Sequence, residues 1–322
     1  MSCDTPEPDQ ACNEAVERLS VMLSQESTIY VTRDYISMQY MDDSCLQHLS
    51  SREDEQSDDD NDRVLVSPEW RQQIAEWYLL LAKTFKLKRE VVSFAMSYLD
   101  RFLGKYFCDR VMLELAASTS IYLAVKAHDS ERQEQLKILP RLSQTGISGR
   151  HIVQMEIFML RSLNWLISPP IAESYVSDII SILFHHFRMS QEELEQVTAF
   201  ATLCCDLALT DYFFAIHKPS TVALSSIVNS LQYHYPPHEG EEESSSAAYQ
   251  FSEVLQEELA SINVFASETT SCCLRMWELL KRHGQAIRFP DSPAIVCGYD
   301  DSQPMIALTQ SPVCIGDILP LE

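Results

Sequence analysis

Residues Leu113–Ser130 read LELAASTSIYLAVKAHDS, an apolar helix pattern whose middle is built from Ala116, Ala117, Ser118 and Ser120. Side chains that small let neighbouring helices close in from several sides, so the stretch predicts the central helix of a bundle. Lys218–Tyr235, KPSTVALSSIVNSLQYHY, repeats the device with Ala223, Ser225 and Ser226. Two such helices about a hundred residues apart predict two consecutive bundles; solenoid repeats are shorter, roughly 34–47 residues. The chain has only 7 Gly in 322 residues. An all-β fold or a nucleotide-binding α/β fold needs more turn glycines than that. The expected class is all-α, with two five-helix bundles.

Helix signals place the elements. Ser67 is an N-cap followed by Pro68 and Glu69, and the face Trp70, Ile74, Trp77, Leu81 has helical spacing. KREVVSFAMSYLDRFLG is a second helix stopped by Gly104. Asp109 caps the central helix, EQLKILPRLSQ is a short fourth broken at Pro140, and SGRHIVQMEIFMLRSLNW is a fifth capped by Ser148. Pro169–Pro170 ends the set. The second set is IAESYVSDIISILFHHF, SQEELEQVTAFATLCCDLAL with a Ser190–Glu193 capping box, short DYFFAIH, the second central helix, AYQFSEVLQEEL, and ASETTSCCLRMWELLKRHG stopped by Gly284. The domain boundaries follow: 1–63, an N-terminal region; 64–168, a first bundle; 169–284, a second; 285–322, a mobile tail without period. Helices are expected near Glu14–Ser24 and Thr32–Tyr40. SSREDEQSDDDND is too polar to offset its ordering entropy and is expected to be a disordered acidic linker.

The net charge of −23 is unevenly spread. Residues 1–63 carry 16 acids and 4 bases, 64–165 carry 10 and 14, and 166–322 carry 21 and 6. Such a chain repels nucleic acid and anionic membrane. No apolar run approaches the ~18 residues of a membrane helix, and the N-terminus lacks a signal-peptide pattern, so a soluble intracellular protein is expected. The 10 Cys form no Cys-x-x-Cys pair; Cys204–Cys205 and Cys272–Cys273 read as small core residues. There is no HExxH, and His185 and His186 are adjacent, so on a helix they cannot both face one way. No metal and no cofactor are expected. Phosphate loops, a nucleophile elbow and a catalytic carboxylate pair are all missing, so the chain does not read as an enzyme.

Four charges stand inside apolar helices: Arg71, Asp100, Lys126 and Glu156. Such charges need partners within the fold or at an interface. These residues carry a resemblance. WRQQIAEWYLLLAKTFKLKREVVSFAMSYLDRFL, LAVK and MEIFMLRSLNWLISPP together resemble the cyclin box over Ser67 to about Ala172. KPSTVALSSIVNSL is similar, more loosely, to a second box. The resemblance implies a non-catalytic subunit that binds and activates a cyclin-dependent protein serine/threonine kinase in cell-cycle control, nuclear or cytoplasmic. It implies that Lys126 and Glu156 grip the regulatory helix of the kinase. Arg71 and Asp100 become an ion pair locking the first two helices, and Leu115 the core leucine of the central helix. Trp70, Ile74, Trp77 and Leu113 match a substrate-docking patch for kinase substrates or inhibitors. In that patch Gln73, Glu114 and Leu80 depart from the family pattern, and Ile74 and Trp77 belong partly to the core.

After the lysine many cyclins carry an aromatic and two acids, where this chain has AHDS. That departure is expected to bear on the choice of kinase. Two rival readings are a cyclin-fold transcription factor of the TFIIB type and a helical scaffold without a kinase. The first needs a basic face and usually a zinc ribbon, against the acidic second half and the missing Cys-x-x-Cys. The second leaves Lys126 and Glu156 without a role. Retention on DNA or heparin separates the first from a kinase subunit.

Overall fold

A computed structural model describes residues 8–31, 33–38, 66–143, 145–187, 189–236, 247–259 and 266–283. Among them all regular structure is helical. The expected acidic linker, the tail, and Gly284 as a stop lie outside the described residues. Two compact units form. One holds the described residues between 32 and 169 together with 209–216; the other holds those between 1 and 31, 170 and 208, and 217 and 299.

In the first of these units α2 is Pro68–Phe85, and the Ser67 side chain accepts from Trp70 N at its start. It buries Ile74, Trp77, Tyr78 and Leu81, and stops at Lys86 in the left-handed region, φ 51°. Helix α3, Glu90–Leu103, is apolar along Val91, Val92, Ala95, Met96, Leu99 and Phe102, and ends at Gly104. Helix α4, Arg110–His128, is capped by Asp109, whose carboxylate accepts from Met112 N at 2.7 Å. It is buried from Ala116 through Ile121 and packs against α3, against α6 (Gly149–Ser162) and against a 3-10 stretch, Ser130–Ile138. Small side chains let the Tyr78 hydroxyl reach in and donate to Ala117 O at 2.7 Å. Pro140 does not break this region, as the sequence suggested. It sits in the first turn of α5, Leu139–Leu142, where the N–H it lacks would have had no helical partner. Ser148 starts α6 with a reciprocal box: its hydroxyl accepts from His151 N, and His151 Nδ1 accepts from Ser148 N at 3.3 Å.

The other unit contains α1 (Pro8–Thr28), α7 (Ala172–His186), most of α8 (Gln191–Thr210), α10 (Pro219–His234), α11 (Ala247–Glu258) and α12 (Ser267–His283). The one-turn helix α9, Tyr212–Ala215, belongs to the unit of α2 and packs on it. Helix α10 is central and touches α7, α11 and α12. Its small polar residues are satisfied across the interfaces: Ser225 Oγ donates to Thr221 O and Thr269 O, and Ser230 Oγ to Val197 O. The Ser190–Glu193 box opens α8 as expected from sequence. Cys204, Cys205 and Cys272 are buried, and burial pushes the Cys272 thiol up to about 12, which suits small core residues rather than reactive thiols.

The N-terminal region is not separate from this bundle. Helix α1 runs well beyond the expected Glu14–Ser24 and buries Cys12, Ala15 and Leu19 in one core with Tyr175, Val176 and Ile179 of α7. Glu26 then accepts from Ser220 N at 3.1 Å and Ser220 Oγ at 2.6 Å, so a carboxylate of α1 caps the first turn of α10.

Candidate functional site

Lys126 stands in the last turn of α4, where a cation is favoured by the helix dipole. Glu156 lies in the middle of α6 beside the core residues Ile152, Met155 and Met159. Packing of α4 on α6 brings the two together, and Lys126 Nζ donates to Glu156 Oε1 at 2.6 Å. The pair is lopsided: the lysine side chain is 45 % exposed, the glutamate 9 %. The hydrogen bond that Lys126 donates to Glu156 raises the lysine pKa against the opposing effect of burial, so the ammonium stays charged. Val153, Glu156 and Ile157 share a helix face by their spacing of three and four, and Val153 and Ile157 are about half exposed. The carboxylate is therefore bordered by apolar side chains open to solvent.

The sequence reading passes over Trp165. It follows α6 on a turn in which Asn164 and Trp165 both have positive φ, 55° and 61°, and its side chain is 66 % exposed. Both residues are uncommon in that region and need support. Arg101 Nη1 donates to Leu166 O at 2.8 Å, Arg101 Nη2 to Leu163 O, and Lys105 Nζ to Ser162 O. Arg101 of α3 and Lys105 just past its end thus hold the carbonyls of Ser162, Leu163 and Leu166 where α6 stops, and the indole faces outward. The available signal was Asn-Trp directly after a helix pattern.

Arg71 and Asp100 form a two-pronged pair between α2 and α3: Nε donates to Oδ1 at 2.9 Å and Nη2 to Oδ2 at 2.8 Å. The pair does more than join these helices. Arg71 Nη1 donates to Leu209 O at 2.8 Å, and the Tyr35 hydroxyl donates to Asp100 Oδ1 at 3.0 Å. Tyr35 meets Tyr212 edge-on, and Arg71 lies 5.9 Å from the Tyr212 ring centre. Burial alone would lower the Arg71 pKa; the charge and hydrogen bonds of Asp100, with smaller contributions from Tyr35 and Tyr212, together outweigh it and leave the pKa raised.

Two expectations need correction. Ile74, Trp77 and Leu113 are 1 %, 5 % and 0 % exposed and belong to the core, with Trp70 only partly buried against it. The positions matched by resemblance therefore make no open docking patch in this structure, because three of the four side chains are covered by the bundle. Leu115 is likewise only partly buried; Leu113 fills the core place assigned to it.

Comparison with known proteins matches residues 22–168 to the family model of the cyclin N-terminal domain. Residues 22–168 thus belong to the cyclin N-terminal domain family. It is 26 % identical to G1/S-specific cyclin-D3 of Bos taurus over 167 residues, 52 % of this chain and 56 % of the relative. It is 27 % identical to G1/S-specific cyclin-D1 of Danio rerio over 169 residues, again 52 % and 56 %. The match thus spans little more than half the length of these relatives. A viral cyclin from herpesvirus saimiri shares the fold, with a TM-score of 0.53 at 16 % identity over 67 % of this chain and 86 % of that one.

In the AHDS stretch two of the four side chains, His128 and Asp129, are turned inward. The His128 ring stacks on Phe94 at 3.7 Å, and its Nε2 lies 2.9 Å from the Tyr98 hydroxyl and 3.0 Å from Ile167 O. Asp129 is buried and accepts from Lys88 N at 2.8 Å, just before α3. These two side chains serve the fold, leaving Lys126, Ala127 and Ser130 exposed.

Proposed function

We propose that this chain is a non-catalytic subunit that binds and activates a cyclin-dependent kinase. The observation that carries this is the Lys126–Glu156 pair beside open Val153 and Ile157. A structural ion pair would not need a half-exposed lysine with apolar side chains left in water around it. An incoming helix can take its hydrogen bonds from the ammonium and carboxylate, and its apolar contacts from Val153, Ile157 and Trp165. A protein kinase works when its β3 lysine meets the glutamate of helix αC. A partner that binds the helix-in arrangement better shifts the population toward it. The apolar contacts exclude water from the polar ones and make each harder to lose.

The same reading takes residues 169–284 as a second cyclin box, supported by the small-residue central helix α10. It extends to this chain the G1/S step carried in the names of the cyclin-D relatives, and places it in nucleus or cytoplasm with its kinase. Co-purification from cells followed by a kinase assay tests the proposal. Wild type brings down an active kinase, and Lys126→Ala with Glu156→Ala does not. Equal recovery by the double variant would refute it.

A further inference from the structure

A second cluster of chemistry-bearing side chains lies in the unit that holds α1 and α7. Helices α1 and α7 pack side by side, and Arg18 Nη2 meets Asp178 Oδ1 at 2.7 Å. Six residues before Arg18 stands Cys12, and seven after Asp178 stands His185. At 1.5 Å rise per residue these offsets are about 9 and 10 Å, so antiparallel packing returns Cys12 to the end of α7. Cys12 Sγ and one ring nitrogen each of His185 and His186 lie within 4.8 Å of one another. The thiol is buried and both imidazoles are exposed. Adjacent residues in mid-helix diverge, which in the sequence speaks against a shared metal. At the last turn of α7 the two rings stand edge to face, centroids 5.0 Å apart, and both reach the thiol. A fourth group comes from the last residue of α11: Glu258 Oε1 is 3.0 Å from His186 Nε2.

We infer that Cys12, His185 and His186 bind a zinc ion that pins the start of α1 to the end of α7, with Glu258 supporting the site. One thiolate and two imidazoles are the donor types zinc favours, and the position left over takes water or the carboxylate. Donors around tetrahedral zinc stand about 3.3–3.8 Å apart, given bonds of roughly 2.0–2.3 Å. The cluster must tighten by about an ångström, which rotation of two exposed imidazoles supplies. Binding expels the Cys12 thiol proton to solvent and draws on the lone pairs of the two imidazoles. A carboxylate against a ligating histidine orients the ring and strengthens it as a donor.

The test uses the full chain, reduced and stripped with a chelator, then titrated with cobalt(II) and zinc(II). Wild type takes up one equivalent of cobalt with tetrahedral visible bands and a sulfur-to-cobalt charge-transfer band, zinc displaces it, and zinc raises the Tm. Cys12→Ser loses the charge-transfer band and the Tm response. Glu258→Gln keeps the band and binds zinc about tenfold more weakly. If Cys12→Ser does not fold, His185→Asn with His186→Asn, both at exposed positions, carries the test through the same readouts. An unchanged sulfur band in Cys12→Ser, an unchanged zinc response in the histidine pair, or no saturable binding by wild type overturns the inference.

Discussion

Replacing Asp100 with alanine removes a carboxylate that accepts three hydrogen bonds, two from Arg71 and one from Tyr35. The arginine side chain is 3 % exposed and keeps the Leu209 carbonyl as acceptor and the Tyr212 ring 5.9 Å away, neither of which carries a negative charge. A buried charge stripped of its counter-ion costs about 3–5 kcal/mol. Asp100 itself is 19 % exposed, so water can enter the vacated space and the cost should fall toward the lower end, about 3 kcal/mol. For a cooperative unit of this size each kcal/mol moves Tm by about 2–4 °C, which puts the expected drop at about 6–12 °C. Calorimetry or circular dichroism on purified wild type and variant reads this. A second variant separates charge burial from lost packing. Arg71→Met with Asp100→Leu removes both charges, and a buried pair exchanged for apolar groups is often near neutral. The double variant should therefore melt above Asp100→Ala. An unchanged Tm in Asp100→Ala, or a double variant less stable than the single, would refute the reasoning.

Two further outcomes concern how the bundles are built. Glu26→Ala uncaps the first turn of α10 and should cost about 1–2 kcal/mol in chemical denaturation, since two donors of Ser220 lose their acceptor. Ala117→Leu forces a larger side chain where Tyr78 meets the α4 backbone and should cost about 1–3 kcal/mol or more, seen as a lower denaturation midpoint.

The sequence was most informative where the physics is local. Ser67, Asp109, Ser148 and Ser190 cap the helices they announce, because a side chain and the next turn of backbone decide a cap between them. The small residues of α4 and α10 announce central helices for a similar reason: bulk at those positions would exclude neighbours. Pro140 was misread because a proline opening a turn and one breaking a helix look alike until the flanking backbone is seen. Ile74, Trp77 and Leu113 were matched to a docking groove by resemblance, and a matched residue type does not show whether the bundle covers it. Long-range partners were invisible. Nothing near Cys12 points to His185, and nothing near Glu26 points to Ser220. Lys126 and Glu156 stood out as charges within apolar helices, the resemblance paired them, and helix packing joins them. The structure turns His128 and Asp129 inward and leaves Val153, Ile157 and Trp165 open to solvent.

The proposal of a kinase-binding cyclin is tested by the affinity of the purified chain for a cyclin-dependent kinase, measured for wild type and for Lys126→Ala with Glu156→Ala. Truncating buried interface charges costs about 2–5 kcal/mol, which corresponds to a loss of about thirtyfold to a few thousandfold in Kd. Melting temperature serves as the control, since a half-exposed lysine pair adds little to stability by itself. A drop in affinity of that size with Tm held within a few degrees is the expected result. Wild-type affinity retained by the double variant, or no kinase bound by the wild type, would contradict it.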